Sequence, residues 1–192
     1  ENQLFYNYQK FTQQKSLEAN PIRRALETIK EGSKKHKKLK KHLESINDEV
    51  TNFKVEYIKK NPSTFFVKLL KAMEPIFIPD TPRLKDGEKD KKFRFQYYKN
   101  HLWDHFDLGD DRMIRTPIFH NMMEKYLQEH TLQIPDSINA SLDTLINKSR
   151  KSQELFKYII NWSTHHYESS KIMGQDAVFV HLVFTYFVTG QT

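Results

Sequence analysis

The chain has 192 residues, and its 31 Lys and Arg against 24 Asp and Glu give a formal net charge of +7. Hydrophobic residues make up 38% and aromatic residues 13%, which is enough for a packed core and excludes general disorder. The absence of cysteine excludes disulfide scaffolds, cysteine zinc sites and thiol catalysis within these residues.

The first 60 residues have a helical pattern of apolar positions and more basic than acidic side chains. Apolar positions step by three and four residues from Ile22 to Tyr57, which is the a/d spacing of a coiled-coil-like seam. Gly32 and Ser33 interrupt this pattern, because Gly is costly inside a helix and Ser33 can cap a new one. We therefore expect a turn at these two residues, with Pro21 as a candidate kink further upstream.

The pattern predicts a helical hairpin over about 2–31 and 34–60, and a single long helix beginning at Asn20-Pro21 is the alternative. Asn61-Pro62 then has the form of a cap followed by proline at the first helical position, which predicts a short helix beginning there.

A proline-rich stretch separates this arm from the rest of the chain. Residues 74–90 contain three prolines and Gly87, a composition typical of a linker. The predicted domains are therefore a helical arm over 1–73, a linker over 74–90 and a helical body over 91–192.

The body reads as short helices, and no run of alternating apolar residues indicates a strand. Five helices are predicted, at 92–106, from Pro117, from Pro135, at 152–168 and at 176–188. The last is apolar almost all round, which predicts burial on most faces but is too short for a membrane span. We expect an all-α fold, in which a coiled-coil-like hairpin arm precedes a compact bundle of about five short helices.

Six lysines between positions 34 and 41 form the most charged stretch of the arm. The candidate polyanion-binding residues here are Lys34, Lys37, Lys38 and Lys41. A solvated helix face is the simpler interpretation, since no arginine or interleaved aromatic accompanies the run. We therefore expect no nucleic-acid partner.

A loop rich in aromatic and acidic residues follows the first body helix. His101 and His105 are spaced for one helical face, which raises the hypothesis of a metal site, but no complete ligand set accompanies them. Trp103, Phe106 and Met113 are a candidate interaction surface, and the alternative is that the aromatic residues pack inward. We predict no metal, no cofactor and no catalytic residue, because no phosphate loop or nucleophile motif occurs.

Three runs carry a resemblance to a known family: YYKNHLWDHFD at 97–107, IRTP at 114–117 and SKIMGQDAVFVHL at 170–182. With these runs the chain resembles an all-α domain of unknown function found in secreted Bacteroidetes proteins, immediately upstream of a thioredoxin-like domain of the TlpA/ResA kind. The resemblance covers nearly the whole chain.

The resemblance implies a non-catalytic accessory module that positions a downstream thioredoxin-like domain or its protein substrate. It also implies a thiol–disulfide oxidoreductase as the parent protein, in the periplasm or cell envelope, exported by a signal sequence outside these residues. The alternative is a stand-alone envelope protein that binds polyanionic or protein partners through the lysine-rich arm. A homo-oligomer is compatible with the unmatched seam.

Overall fold

The computed structural model describes residues 2–191, and within them it is 69% helical with no strand. The predicted all-α fold is confirmed. The eight α-helices are α1 Asn2–Thr28, α2 Lys34–Lys60, α3 Phe65–Ala72, α4 Lys91–His101, α5 Pro117–Gln128, α6 Pro135–Lys148, α7 Gln153–Glu168 and α8 Asp176–Leu182. None of these helices is both long enough and apolar enough to cross a membrane.

The chain forms two compact units, Glu1–Leu70 and Lys71–Thr192. In the first unit, α1 and α2 pack together as the predicted hairpin. The ring of Phe11 stacks on that of Phe53 at 4.0 Å, and Lys15 forms an ion pair with Glu49. These pairs join early residues of α1 to late residues of α2, so the two helices run antiparallel.

The turn lies where the sequence predicts it. Gly32 has a φ of 80°, a left-handed conformation that glycine adopts without strain. The Ser33 hydroxyl accepts a hydrogen bond from the backbone N–H of His36 at 3.1 Å and so caps α2. The alternative of one long helix beginning at Asn20 is therefore wrong, and α1 continues through Pro21.

The predicted helix start at Asn61-Pro62 is also wrong. Asn61 closes α2 instead, because both its backbone N–H and its side-chain amide donate to the carbonyl of Tyr57, at 3.1 and 3.0 Å. The cap of α3 is Thr64, whose hydroxyl accepts from the N–H of Val67 at 3.4 Å. The Asn61 side chain is thus hydrogen-bonded to the end of α2 and does not cap α3.

The second unit contains the five predicted body helices. Its core consists of apolar side chains that α5, α6 and α7 bury together: Phe119, Met123, Leu127, Ile138, Leu142, Leu145, Ile146, Leu155, Ile159 and Ile160. Ser152 caps α7 by accepting from the N–H of Leu155 at 3.1 Å, and Pro117 and Pro135 occupy the first turns of their helices. The predicted domain boundaries at residues 73 and 90 stay predictions.

The first body helix is shorter than predicted. α4 ends at His101, and tight turns over 102–109 follow, with the N–H of Phe106 donating to the carbonyl of Trp103 at 3.2 Å. These turns bring both aromatic side chains to the core, where their rings meet edge to face at 5.5 Å. Burial of the two rings therefore outweighs continuation of the helix.

Candidate interaction surface

The aromatic residues predicted as an interaction surface lie in the core. Trp103 is 4% exposed, and Phe106 and Met113 are also buried. The ring of Trp103 contacts that of Tyr126 at 5.7 Å, in addition to that of Phe106. The expectation of an exposed surface at these three residues is wrong, and the alternative that the aromatics pack inward is right.

The lysine cluster, by contrast, is exposed. Lys34, Lys37, Lys38 and Lys41 all project into solvent from the first two turns of α2. No carboxylate lies in the first turn, and none of the four has an ion pair within residues 2–191. Because a helix N-terminus carries a partial positive charge, the cluster raises an already positive local potential.

The two histidines considered as metal ligands do not share a helix face. α4 ends at His101, whose Nδ1 lies 2.5 Å from Oδ2 of Asp104, and His105 follows in the turns beyond the helix. Among residues 2–191 there is no group of three or more His, Asp or Glu side chains that could hold a metal ion.

An anchor between α6 and the C-terminal segment determines which residues of that segment are exposed. The hydroxyl of Tyr186 donates to Oδ1 of Asp143 at 2.7 Å, and Nε2 of His181 lies 2.9 Å from the same oxygen. Asp143 thus holds both His181 and Tyr186. Burial is the main cause that raises the pKa of Tyr186 above its ordinary value, and the hydrogen bond to Asp143 raises it further. The phenol therefore stays protonated.

The same anchor leaves apolar side chains on the outer side of the segment. Val178, Leu182 and Tyr186 are buried on the inner side. The outer side chains Val180, Phe184, Phe187 and Val188 are exposed, and Phe187 and Val188 follow Phe184 by three and four residues; we call the four the C-terminal apolar face. Phe184 is 65% exposed and Val188 67%, which is unusual for large apolar side chains that adjoin one another.

The backbone of this face is regular but not α-helical throughout. Val183–Phe187 form a π-helix, and the N–H of Val188 donates to the carbonyl of Val183 at 3.0 Å. Beyond it, the side-chain amide of Gln191 accepts from Arg150 at 2.9 Å and donates to the carbonyl of Thr185 at 3.2 Å. These hydrogen bonds hold the segment on the second unit although its outer side is uncovered.

The prediction that residues 176–188 are buried on most faces is therefore wrong. The physical reason is that the segment packs on α6 and α7 through one side, which leaves the side chains of the opposite side exposed. The sequence signal for this surface is the continuous apolar character of residues 176–188. Such a run indicates either a central helix or a helix with an external partner.

Comparison with known proteins gives a family and nothing more specific. The sequence profile of a family described as "Domain of unknown function (DUF5106)" matches residues 31–191, which include α2 to α8 and the C-terminal apolar face. No curated protein and no solved structure matches the chain.

Proposed function

This chain belongs to the DUF5106 family of domains of unknown function, and we propose that it is a non-catalytic helical interaction module. Its binding surface is the C-terminal apolar face, which carries the proposal because two phenylalanines and two valines are exposed there within nine residues. Exposed apolar patches of this kind mark protein interaction sites, and aromatic side chains are enriched at such interfaces.

The proposed partner is a thioredoxin-like domain or the protein substrate of such a domain. The support for this partner is the resemblance carried by the runs 97–107 and 170–182, the second of which leads directly into the apolar face. Since the chain has no cysteine, the thiol chemistry would belong to the partner. The proposed location is correspondingly the periplasm or cell envelope of a bacterium of the Bacteroidetes.

The test is binding of a thioredoxin-like domain of the TlpA/ResA kind to the 192-residue chain by isothermal titration calorimetry. Phe184→Asp should weaken binding by about tenfold or more, because a carboxylate would be desolvated at the centre of the interface. The matched control is Phe77→Asp, since Phe77 is 85% exposed and lies outside the face.

Thermal melts of both variants should match that of the unsubstituted chain, which separates loss of binding from loss of folding. Equal binding by the Phe184 and Phe77 variants would contradict the proposed surface. Absence of any complex would contradict the proposed partner. If Phe184→Asp instead converts a dimer into a monomer in sedimentation, the face binds a second copy of the chain.

A second candidate function rests on the lysine cluster. Its exposed ammonium groups form no ion pair with the described residues 2–191, so they are available to a polyanion such as heparin or polyphosphate. Binding of heparin should weaken steeply as salt rises, and replacing Lys34, Lys37, Lys38 and Lys41 with Gln should remove most of that salt dependence. Heparin binding that is insensitive to these substitutions would end this candidate.

A further inference from the structure

A cavity of about 320 Å³ is bounded by α4, α5 and α6 in the second unit. Its deepest side chains are Trp103, Tyr126 and Ser141, all of which are buried. Asn100 and Lys148 are exposed at its rim, so the cavity is open to solvent. The volume is in the range of small-molecule sites.

Two lysines and no carboxylate line this cavity. Nζ of Lys99 donates to Oγ of Ser141 at 2.8 Å and lies 5.4 Å from the centroid of the Tyr126 ring. Burial lowers the pKa of Lys99, since the ammonium group is partly removed from water without a countercharge. Neither Lys99 nor Lys148 has an ion pair in the described part of the chain.

The ring of Trp103 lines the cavity, but its Nε1 is buried and has no hydrogen-bond partner among residues 2–191. Because this atom has almost no solvent-accessible surface, it is not a donor that the open cavity offers to a ligand. The donors that the cavity does offer are the two ammonium groups, and no carboxylate in its lining balances their charge.

A second pocket of about 690 Å³ adjoins the cavity and shares Lys99, Asn100 and Ser137 with it. Phe95 and Leu132 line this second pocket, and both side chains are substantially exposed. The two pockets meet at these shared residues, so a molecule that extends past Lys99 and Asn100 would contact the lining of both. Such a molecule needs an anionic group at one end and an apolar body at the other.

We propose that this cavity binds a small organic anion, whose carboxylate or phosphate group contacts the ammonium groups of Lys99 and Lys148. The anion would accept charge-assisted hydrogen bonds from the two lysines, and its apolar body would lie against Phe95 and Leu132. This site is independent of the C-terminal apolar face and does not rest on the proposed function.

A purely structural role explains only part of this arrangement. The bond from Lys99 to Ser141 satisfies one ammonium proton and joins α4 to α6. It does not explain the second lysine at the rim or the missing countercharge. An anion in the cavity accounts for both.

The test uses the indole N–H of Trp103 as a reporter in ¹H–¹⁵N NMR. Trp162 is the other tryptophan, so Trp162→Phe leaves one indole signal, and phenylacetate, phenyl phosphate and 2-phenylethanol are titrated in turn. We expect saturable shifts with one or both anions and none with the neutral alcohol. Tighter binding of phenylacetate would assign a carboxylate ligand, and tighter binding of phenyl phosphate a phosphate ligand.

Lysine variants test the contact itself. Lys148→Met should weaken anion binding about tenfold, as expected for loss of one charge-assisted hydrogen bond. Lys157→Met removes an equally exposed lysine from α7 and should leave affinity unchanged. Lys99→Met should act like Lys148→Met, and if it fails to fold, Lys148→Glu takes its place. Absence of shifts at millimolar anion, equal shifts with 2-phenylethanol, or affinity insensitive to Lys148 would each overturn the proposal.

Discussion

The carboxylate of Asp143 on α6 accepts a hydrogen bond from the hydroxyl of Tyr186 at 2.7 Å. This bond joins the middle of α6 to the π-helix and holds the inner side of the C-terminal segment against the body. Together with the burial of Val178 and Leu182, this bond leaves Phe184, and with it the C-terminal apolar face, on the outer side.

Replacement of Asp143 should loosen the C-terminal segment. Asp143→Ala removes the acceptor of both Tyr186 and His181, and we expect the free energy of unfolding to fall by about 1–3 kcal/mol. Urea unfolding followed by circular dichroism measures the change. Glu168→Gln, an exposed carboxyl at the end of α7, is the control and should change stability by less than about 0.5 kcal/mol. Equal stability of the two variants would show that the anchor contributes nothing.

Truncation of Trp103 should destabilise the body strongly. Its side chain is buried against Phe106 and Tyr126, so Trp103→Ala removes a large aromatic group from the core and should cost about 3–5 kcal/mol. A thermal melt of the variant would show the loss. Phe184→Ala is the matched comparison, because its ring is exposed and its removal should leave the melting temperature nearly unchanged. A native-like melt for Trp103→Ala would contradict the core position.

Charge reversal at the beginning of α2 should stabilise the arm. Lys35 lies in the first turn, where the helix dipole disfavours a cation, so Lys35→Glu should add about 0.3–1 kcal/mol at low salt. Lys59→Glu makes the same charge change in the last turn and should lower stability instead. Both effects should shrink in 1 M salt, where the Debye length is about 3 Å. Changes of the same sign at both ends would contradict this explanation.

Acid should weaken the second unit through two histidines. Burial lowers the pKa of His130 and of His166 below the ordinary value of 6.5. His130 lies against the Tyr98 ring at 4.7 Å and near the charges of Glu129, Lys125 and Lys99. As pH falls through 6.5, the unfolded chain binds protons that the folded chain resists, so the free energy of unfolding decreases.

Melting temperatures between pH 7.5 and pH 5 should therefore fall for the unsubstituted chain. The fall should be smaller for the double variant His130→Gln and His166→Gln, which keeps the carboxyl titrations common to both proteins. Parallel pH profiles for the two proteins would show that the histidines do not contribute.

Local chemistry explains why much of the fold could be predicted. Signals whose interactions span no more than four residues can be recognised in the sequence. They are the turn at Gly32-Ser33, the prolines that begin α5 and α6, and the Ser152 cap of α7. The start at Asn61 could not be predicted correctly, because the same side chain that caps a new helix also closes the preceding one.

The C-terminal apolar face and the cavity both depend on contacts between residues that are far apart in the sequence. Asp143 is 38 residues from His181 and 43 from Tyr186, and Lys99 is 42 residues from Ser141. These contacts decide which side of the C-terminal segment is covered and where the cavity forms. The spacing of apolar residues within one segment does not reveal which distant segment it contacts. The burial of Trp103 and the exposure of Phe184 therefore could not be deduced from spacing alone.

The π-helix at Val183–Phe187 decides which residues beyond it reach this surface. A π turn is an α-helical turn that contains one additional residue. Deleting that residue would let the same N–H and carbonyl groups pair as in an α-helix, so the residues beyond the turn would keep their direction. If all the residues were kept and wound as a regular α-helix, everything beyond the turn would instead rotate by about 100° relative to Asp143. For this segment, a substitution that straightens the π turn is therefore a larger change than the loss of one residue, because it redirects the binding surface without altering its composition.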